Sequence, residues 1–580
     1  MDFTAILPAE LSCHIFTFLG QVELRKCVIV SKRWKKHSDD RYIWKLLANR
    51  DYKNGQLRTK RRGINLDYKS MTRLNLEENI EYFIEREDEL NYPFEHVSIL
   101  PGTAFETIQR VIANENIKSI SFRGMDEALE KYDLCKLSKC RTRPINVWFR
   151  FEFERNIMLL LRSCEYIVTL RLDSGYLGCS IKALLRIISN APKLENLLMG
   201  NVRIHGPEIT ELNPPMPKSA LSRLELSCHK YDDGPDMLHT IYLFLLGNNK
   251  LSSIACDICR SNVGYYLNHF VSVSEVEELN LVIKWRADNG IGDILNLVRN
   301  SKSLRKFTLS ATKIKAIDLS TVRDSLYALI AYNMYIVELT LSRIPLGDLI
   351  QLISPAILIN DTITSLDISS TTTRFTNSNI WDTFARALSM NTTLRKLNIS
   401  ENGIGNNSAV LLMKALIQNK MLFYLDISNN QITDSKLLGE LITCNKSIIS
   451  LDISHNNIKC LDNIFIALGE NAHIERLILN GNRIKKSTPL LAEALFKNCT
   501  LRKLHMRKCA ITVSARFIVP CLFKPSMLWY LDLRDNRISE HVAREIGRAL
   551  KENPMLGYVL LAGNPDISDV TLDELLSLRK

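Results

Sequence analysis

From about residue 167 onward the apolar positions recur in one pattern, Leu-x-x-Leu-x-Leu-x-x-Asn-x-Ile, with substitutions. It is plainest in "LRKLNISENGI", where Leu394, Leu397, Ile399, Asn402 and Ile404 fill it. It returns at Leu422, Ile448, Ile474 and Leu528, each followed eight residues on by Asn430, Asn456, Asn482 and Asn536. Weaker copies start at Ile363, Ile336, Leu304, Val276, Leu251, Leu221, Leu194 and Ile167. The spacing of two between Leu425 and Ile427 puts both on one face of a short strand, pointing inward. The Asn that follows can hydrogen-bond the backbone where the chain leaves the sheet, and such residues stack into a ladder. A helix then returns the chain: in "SAVLLMKALIQN", Val410, Met413, Leu416 and Ile417 recur at helical spacing. No single repeat can bury its apolar faces alone, so neighbours must stack.

The motif and its mean period of about 28 residues resemble leucine-rich repeats, of a length similar to the ribonuclease-inhibitor-like class. The resemblance implies an α/β fold: a horseshoe with parallel strands on its concave face and helices on its convex face. The expected Asn ladder is good from Asn402 to Asn482 and poor in the middle, where Lys284, Thr312, Ile344 and Thr371 take its place. Before residue 167, Ile117, Ile120 and Phe122 could open an earlier repeat, whereas "INVWFRFEFER" alternates like a strand outside the register.

Concave-face positions alternate with the buried ones. In the last repeats they are Arg476, Ile478 and Asn480, then Lys503, His505 and Arg507, then Tyr530, Asp532 and Arg534, then Tyr558 and Leu560. Arg and Tyr beside apolar neighbours dominate interface energetics. Arg476, Lys503, His505, Arg507, Tyr530, Arg534 and Tyr558 are therefore the candidate substrate-binding residues. Asp367, Asp426 and Asp452, with Ser369, Ser400, Ser428 and Ser454, follow repeat consensus and are expected to be merely solvated.

The first fifty residues follow a different rule. Pro8 suits a first helical position and Gly20 the residue past the end. Between them Leu11, Ile15, Phe18 and Leu19, with Phe16 beside them, give a broad apolar stripe. A second helix carries Leu24, Val28 and Val30 toward Trp34; a third, capped by Asp39 or Asp40, carries Ile43, Trp44 and Leu47. Three short helices make a very small core, which usually needs a partner.

"LPAELSCHIFTFL", "VIVSKRW" and "IWKLLANRDY", in order and without a gap over about residues 5–52, resemble an F-box. The resemblance implies docking on the Skp adaptor and, through it, on cullin and RING subunits. Leu7 and Pro8 would stand at the leading edge, Leu11, Ile15, Phe16, Leu19, Val28 and Val30 along the apolar face, and Trp34 and Trp44 would close the core. Cys13 and His14 stand where the family often has apolar residues. The whole chain is similar to the leucine-rich-repeat class of F-box proteins. The expected organisation is an F-box over 1–52, a helical connector over 53–115 and a solenoid over 116–580, irregular before about 167. Its implied role is the substrate receptor of a ubiquitin ligase, supplying proximity and orientation rather than bond chemistry. Three other roles fit the same architecture: a scaffold that does not degrade its ligand, a bacterial effector working in host cytoplasm, and a GTPase activator. Activators of that class end in a long acidic tail, unlike "SDVTLDELLSLRK".

Composition changes this picture little. The 580 residues are 46% hydrophobic and 24% charged, with a net charge of +12 that is not evidently clustered and gives no basis for expecting nucleic acid. No run approaches the roughly eighteen apolar residues of a membrane span, and Asp2, Glu10 and His14 are wrong for a secretory signal. The 14 scattered Cys fit a reducing compartment, so a cytoplasmic or nuclear location is expected. Cys256-x-x-Cys259 falls in repeat register, where Cys replaces the last apolar residue and the ladder Asn. "RTKRR" (58–62) could be a nuclear address or an anion contact, and a solvated linker is the expected reading. No phosphate loop, zinc motif or nucleophile signature is present, so neither a catalytic constellation, a metal nor a cofactor is expected.

Overall fold

The computed structural model describes residues 291–577, apart from 313–318, 373–378 and 485. Before 291 it describes 64–65, 96–99, 119–123, 145–150, 167–173, 178–180, 191–200, 203–205, 220–227, 251–258 and 275–284. The F-box expectations, "RTKRR" and Cys259 lie outside the described residues. The chain divides into two compact units, one up to Pro235 and one from Asp236 to Leu578.

In the first unit the strands His96–Ile99, Ser119–Arg123, Ile145–Arg150, Ile167–Asp173, Asn196–Gly200 and Arg223–Leu226 pair in that order, all parallel. Ile64–Asn65 joins the first of them antiparallel. Ile145–Arg150 thus belongs to the ladder. Its departure from the repeat register is a register shift between Ile145 and Asn146. Leu170, Leu197 and Leu224 alternate inward and are fully buried.

In the second unit parallel strands follow one another from Ser253–Ile258 to Tyr558–Leu560, each paired with the next. Leu397, Leu425, Leu451, Leu477, Leu504 and Leu531 stand opposite one another across these strands, and each is 0% exposed. Helices alternate with the strands, among them Gly405–Gln418, Ser435–Cys444, Asp462–Glu470, Thr488–Lys497 and Glu540–Glu552. Strands pack ~4.8 Å apart and helices ~8–10 Å apart, so within this unit the strand edge is the shorter one. In Gly405–Gln418 the core stripe is Ala409, Leu412, Met413 and Leu416. Val410 is 36% exposed and Ile417 half-buried, a correction to the sequence expectation. A helix whose residues 409–417 are apolar except for Lys414 offers two candidate stripes, and the neighbouring repeat selects between them.

The Asn ladder is continuous from Thr371 to Asn456. The Asn402 side-chain oxygen accepts from the Thr371 amide (2.9 Å), Asn430 from the Asn402 amide (2.9 Å), and Asn456 from the Asn430 amide (2.9 Å). Each Asn also donates to a carbonyl of the preceding repeat: Asn402 to Ile368, Asn430 to Ile399, Asn456 to Ile427 and Asn482 to Ile453. Substitutes keep part of this. Thr312 Oγ1 donates to Ile283 O (3.4 Å) and Thr371 Oγ1 to Ile368 O (2.8 Å), while Cys509 Sγ reaches Leu479 O (3.3 Å). Burial pushes the Cys509 thiol up to about 12, so it stays neutral there. Ile344 simply fills the position, 1% exposed. Cys256, 3% exposed, is likewise core.

From Ile344 onward the residue before the ladder position takes positive φ, as at Arg343, Ser370, Glu401, Asn429, His455, Lys508 and Asp535. At Gly481 (φ +72) and Gly563 (φ +77) a Cβ would meet the His455 imidazole and the Asp535 carboxylate as they stand, so a side chain there would have to displace them.

A second Asn ladder caps the helices. Asn391, Asn419, Asn445, Asn471 and Asn498 follow helix C-termini with extended ψ. The Asn419 oxygen accepts from the Met421 and Leu422 amides, and its amide donates to Leu388 O (2.7 Å) and Asn391 O (3.2 Å). Asn445 and Asn498 repeat the arrangement. It satisfies orphan carbonyls of one helix with a side chain from the next repeat.

Candidate ligand surface on the strand face

The candidate substrate-binding residues converge. Strand pairing sets Arg476, Lys503, Tyr530 and Tyr558 opposite one another in one row. Ile478, His505, Asp532 and Leu560 form the row beside it. Arg507 and Arg534 follow two residues past their strands' last residues.

Their electrostatics differ sharply. Arg534 forks onto Asp532 (Nε to Oδ1 2.9 Å, an Nη to Oδ2 2.7 Å), and Arg507 pairs with Asp535. Burial pushes the Asp532 carboxyl up, but the Arg534 hydrogen bonds outweigh it and hold the group below its ordinary value. Asp532 is 1% exposed, so that pair is structural as well as surface-forming. Arg476 and Lys503 differ: among the described residues neither has a carboxylate within 4.0 Å. Arg476 Nε and His505 Nε2 are both covered by neighbouring atoms and have no hydrogen-bond partner. Burial, and then the Arg476 charge, depress His505 to about 4, so at neutral pH it is uncharged.

Aromatic rings complete the surface. His505 lies 4.9 Å from Tyr530, centroid to centroid, and Tyr530 lies 6.4 Å from Tyr558. Trp529, which sequence inspection passed over, packs edge-on against Tyr558 (5.6 Å) with Lys503 Nζ 5.0 Å above its ring. Its one sequence signal is position: it directly precedes strand Tyr530–Asp532.

The acidic residues of earlier repeats are not merely solvated. Asp367, Asp426 and Asp452 each accept the amide two residues on (2.9, 3.0 and 2.8 Å), and Ser400, Ser428 and Ser454 are buried. Burial and the neighbouring Asp452 raise Asp426 to about 6. Asp452 is raised too, chiefly by burial. The cause is tertiary: parallel pairing sets Asp426 directly opposite Asp452.

Asp426 and His505 impose opposite pH dependences. A carboxyl raised from 3.8 to about 6 makes the native state bind more protons, so stability falls as pH rises through that window. An imidazole lowered from 6.5 to about 4 makes the unfolded chain bind more, so stability falls as pH drops. Relative to wild type, Asp426→Asn is expected to gain about 2 kcal/mol at pH 7 and to lose stability faster on acidification. His505→Gln is expected to tilt the other way. Denaturant titrations between about pH 4 and 7 measure both slopes; parallel slopes would contradict the assignment.

Among the described residues no group of His, Cys, Asp and Glu could hold a metal ion, and no helix is long and apolar enough to cross a membrane. The F-box contact residues Leu7, Pro8, Leu11, Ile15, Phe16, Leu19, Val28, Val30, Trp34 and Trp44 lie outside the described residues.

Comparison with known families matches residues 4–50 to the F-box-like domain, and residues 391–413, 418–435 and 497–514 to the leucine-rich repeat. No curated protein matches. Among solved structures, a chain from the crystal structure of the Rad7 and Elc1 complex in yeast is similar at 16% identity. The match covers 60% of this chain and 78% of that one, with a TM-score of 0.38. The chain therefore carries an F-box-like domain at residues 4–50 followed by leucine-rich repeats, the organisation of the F-box/leucine-rich-repeat family.

Proposed function

We propose that this chain is the substrate-recognition subunit of a Skp-cullin-F-box ubiquitin ligase. The observation that carries the proposal is the joining of an F-box-like segment at residues 4–50 to a leucine-rich-repeat strand face in one chain. In this scheme residues 1–52 dock on the Skp adaptor, the chain from 53 connects, and the solenoid, whose parallel ladder already includes His96–Ile99, holds a protein substrate. The substrate surface is the patch of Arg476, Lys503, His505, Arg507, Tyr530, Arg534 and Tyr558. Ubiquitin transfer belongs to the conjugating enzyme recruited by the RING subunit, and the receptor raises effective concentration.

Affinity purification from proteasome-inhibited cells, comparing the full chain with a variant lacking residues 1–52, tests this. The expected result is loss of adaptor, cullin and RING subunits with retention of a protein whose ubiquitination requires residues 1–52. Partners whose abundance and ubiquitination ignore both the deletion and the inhibitor would replace the receptor with a non-degradative scaffold.

A further inference from the structure

Four adjacent strands of the second unit carry, in one row, two cations and then two aromatic rings: Arg476, Lys503, Tyr530 and Tyr558. Like charges directly opposite on parallel strands are destabilising. Two other arginines of this face the fold neutralises by pairing, Arg534 with Asp532 and Arg507 with Asp535. At Arg476 and Lys503 it does not, and Arg476 Nε is left without an acceptor. Next to them, Tyr530, Tyr558 and Trp529 hold one another edge-on or tilted, which fixes their orientation and lowers the entropy lost on contact.

Resting on the proposal that this face takes a protein substrate, we propose that its ligand is an extended peptide segment. The segment places an acidic side chain over Arg476 and Lys503 and an aromatic or large aliphatic side chain over Tyr530 and Tyr558. The spacing follows from the sheet. The centres of the cation pair and the ring pair are two strand spacings apart, ~10 Å, which an extended chain crosses in about three residues. Polarity follows too. On the other side of Arg476 the same row continues as Ser450 and Tyr424, and the row beside it carries Asp452 and Asp426, so a second acidic residue is unwelcome there. The same two aspartates disfavour a nucleic-acid strand, whose regular negative charge would run alongside them.

Panning a phage-displayed random heptapeptide library against the full chain tests the proposal. The expected pool is enriched about tenfold in Asp or Glu paired with Phe, Tyr, Trp or Leu two to four positions away. Arg476→Gln with Lys503→Gln is expected to abolish the acidic preference and keep the aromatic one. Tyr558→Ser is expected to do the reverse. Overturning results are a pool without the pairing, a pool unchanged by these variants, or a single-stranded oligothymidylate that displaces the selected peptides more effectively than a free acidic heptapeptide does. Adaptor capture and thermal melting on the same preparations verify folding. They also separate the two proposals: intact capture with failed selection overturns only the peptide chemistry, while lost capture bears on the receptor role.

Discussion

Replacing Asn456 with alanine is expected to lower the unfolding free energy by about 3 kcal/mol or more. The residue is 0% exposed, and its side-chain oxygen accepts from the Asn430 amide (2.9 Å) and the Ile432 amide (3.1 Å). Its amide donates to Ile427 O (3.0 Å) and Ile453 O (3.1 Å). Alanine leaves these backbone groups without the side chain and without water, and each orphaned buried group costs ~1–3 kcal/mol. Cys509 shows how a repeat manages without the carboxamide oxygen. There the Asn482 amide turns to Leu479 O (3.3 Å) and the Ile484 amide to Cys509 O (3.1 Å). That rearranged turn belongs to its own sequence, and the Asn456 turn is not built that way. Urea unfolding followed by circular dichroism measures the loss, with the exposed Lys420→Ala as a control expected to stay within ~0.5 kcal/mol. A loss below about 1 kcal/mol for Asn456→Ala would mean the ladder is incidental to stability.

The combined change Leu7→Ala with Pro8→Ala is expected to weaken Skp-adaptor binding at least thirtyfold, ~2 kcal/mol. The three short helices expected from the sequence of residues 1–50 would bury too little to be stable alone, so apolar side chains left over from such a core would be held for the partner. Interface energy concentrates in a few such anchors, so trimming two at the leading edge removes a disproportionate share. Titration of purified adaptor into the full chain measures the effect. Equal affinity of the double variant would exclude the assigned docking edge. Acid-aromatic peptide binding, carried by the repeats, is expected to be unchanged.

Much of the fold was legible because short-range rules govern it. The Leu-x-x-Leu-x-Leu positions marked in the sequence are the buried ones, from Ile167, Leu170 and Leu172 to Leu528, Leu531 and Leu533. Strand period alone selects the inward face. The F-box-like segment was legible for a different reason: its residues resemble a known module, and the family match covers 4–50. Other features escaped. The second ladder sits in plain view as Asn three residues before each first apolar position, at Asn391, Asn419 and Asn445. Its meaning depends on carbonyls about one repeat away, such as Leu388 and Leu416. Inspection of one helix likewise misplaced the core stripe of Gly405–Gln418, because the packing partner decides which side is inward.

For the proposed ligand face, the sequence by itself determined which residues stand on it: Arg476, Lys503, His505, Arg507, Tyr530, Arg534 and Tyr558 follow from alternation alone. Only the tertiary structure decided which of their charges are spent. Register sets Arg507 beside Asp535, sets Asp426 against Asp452, and places Arg476 and Lys503 opposite each other with no carboxylate within 4.0 Å among the described residues. A charge's worth depends on what lies within a few ångströms and on how much water remains. Those distances are set between residues about one repeat apart in sequence, so no local pattern contains them.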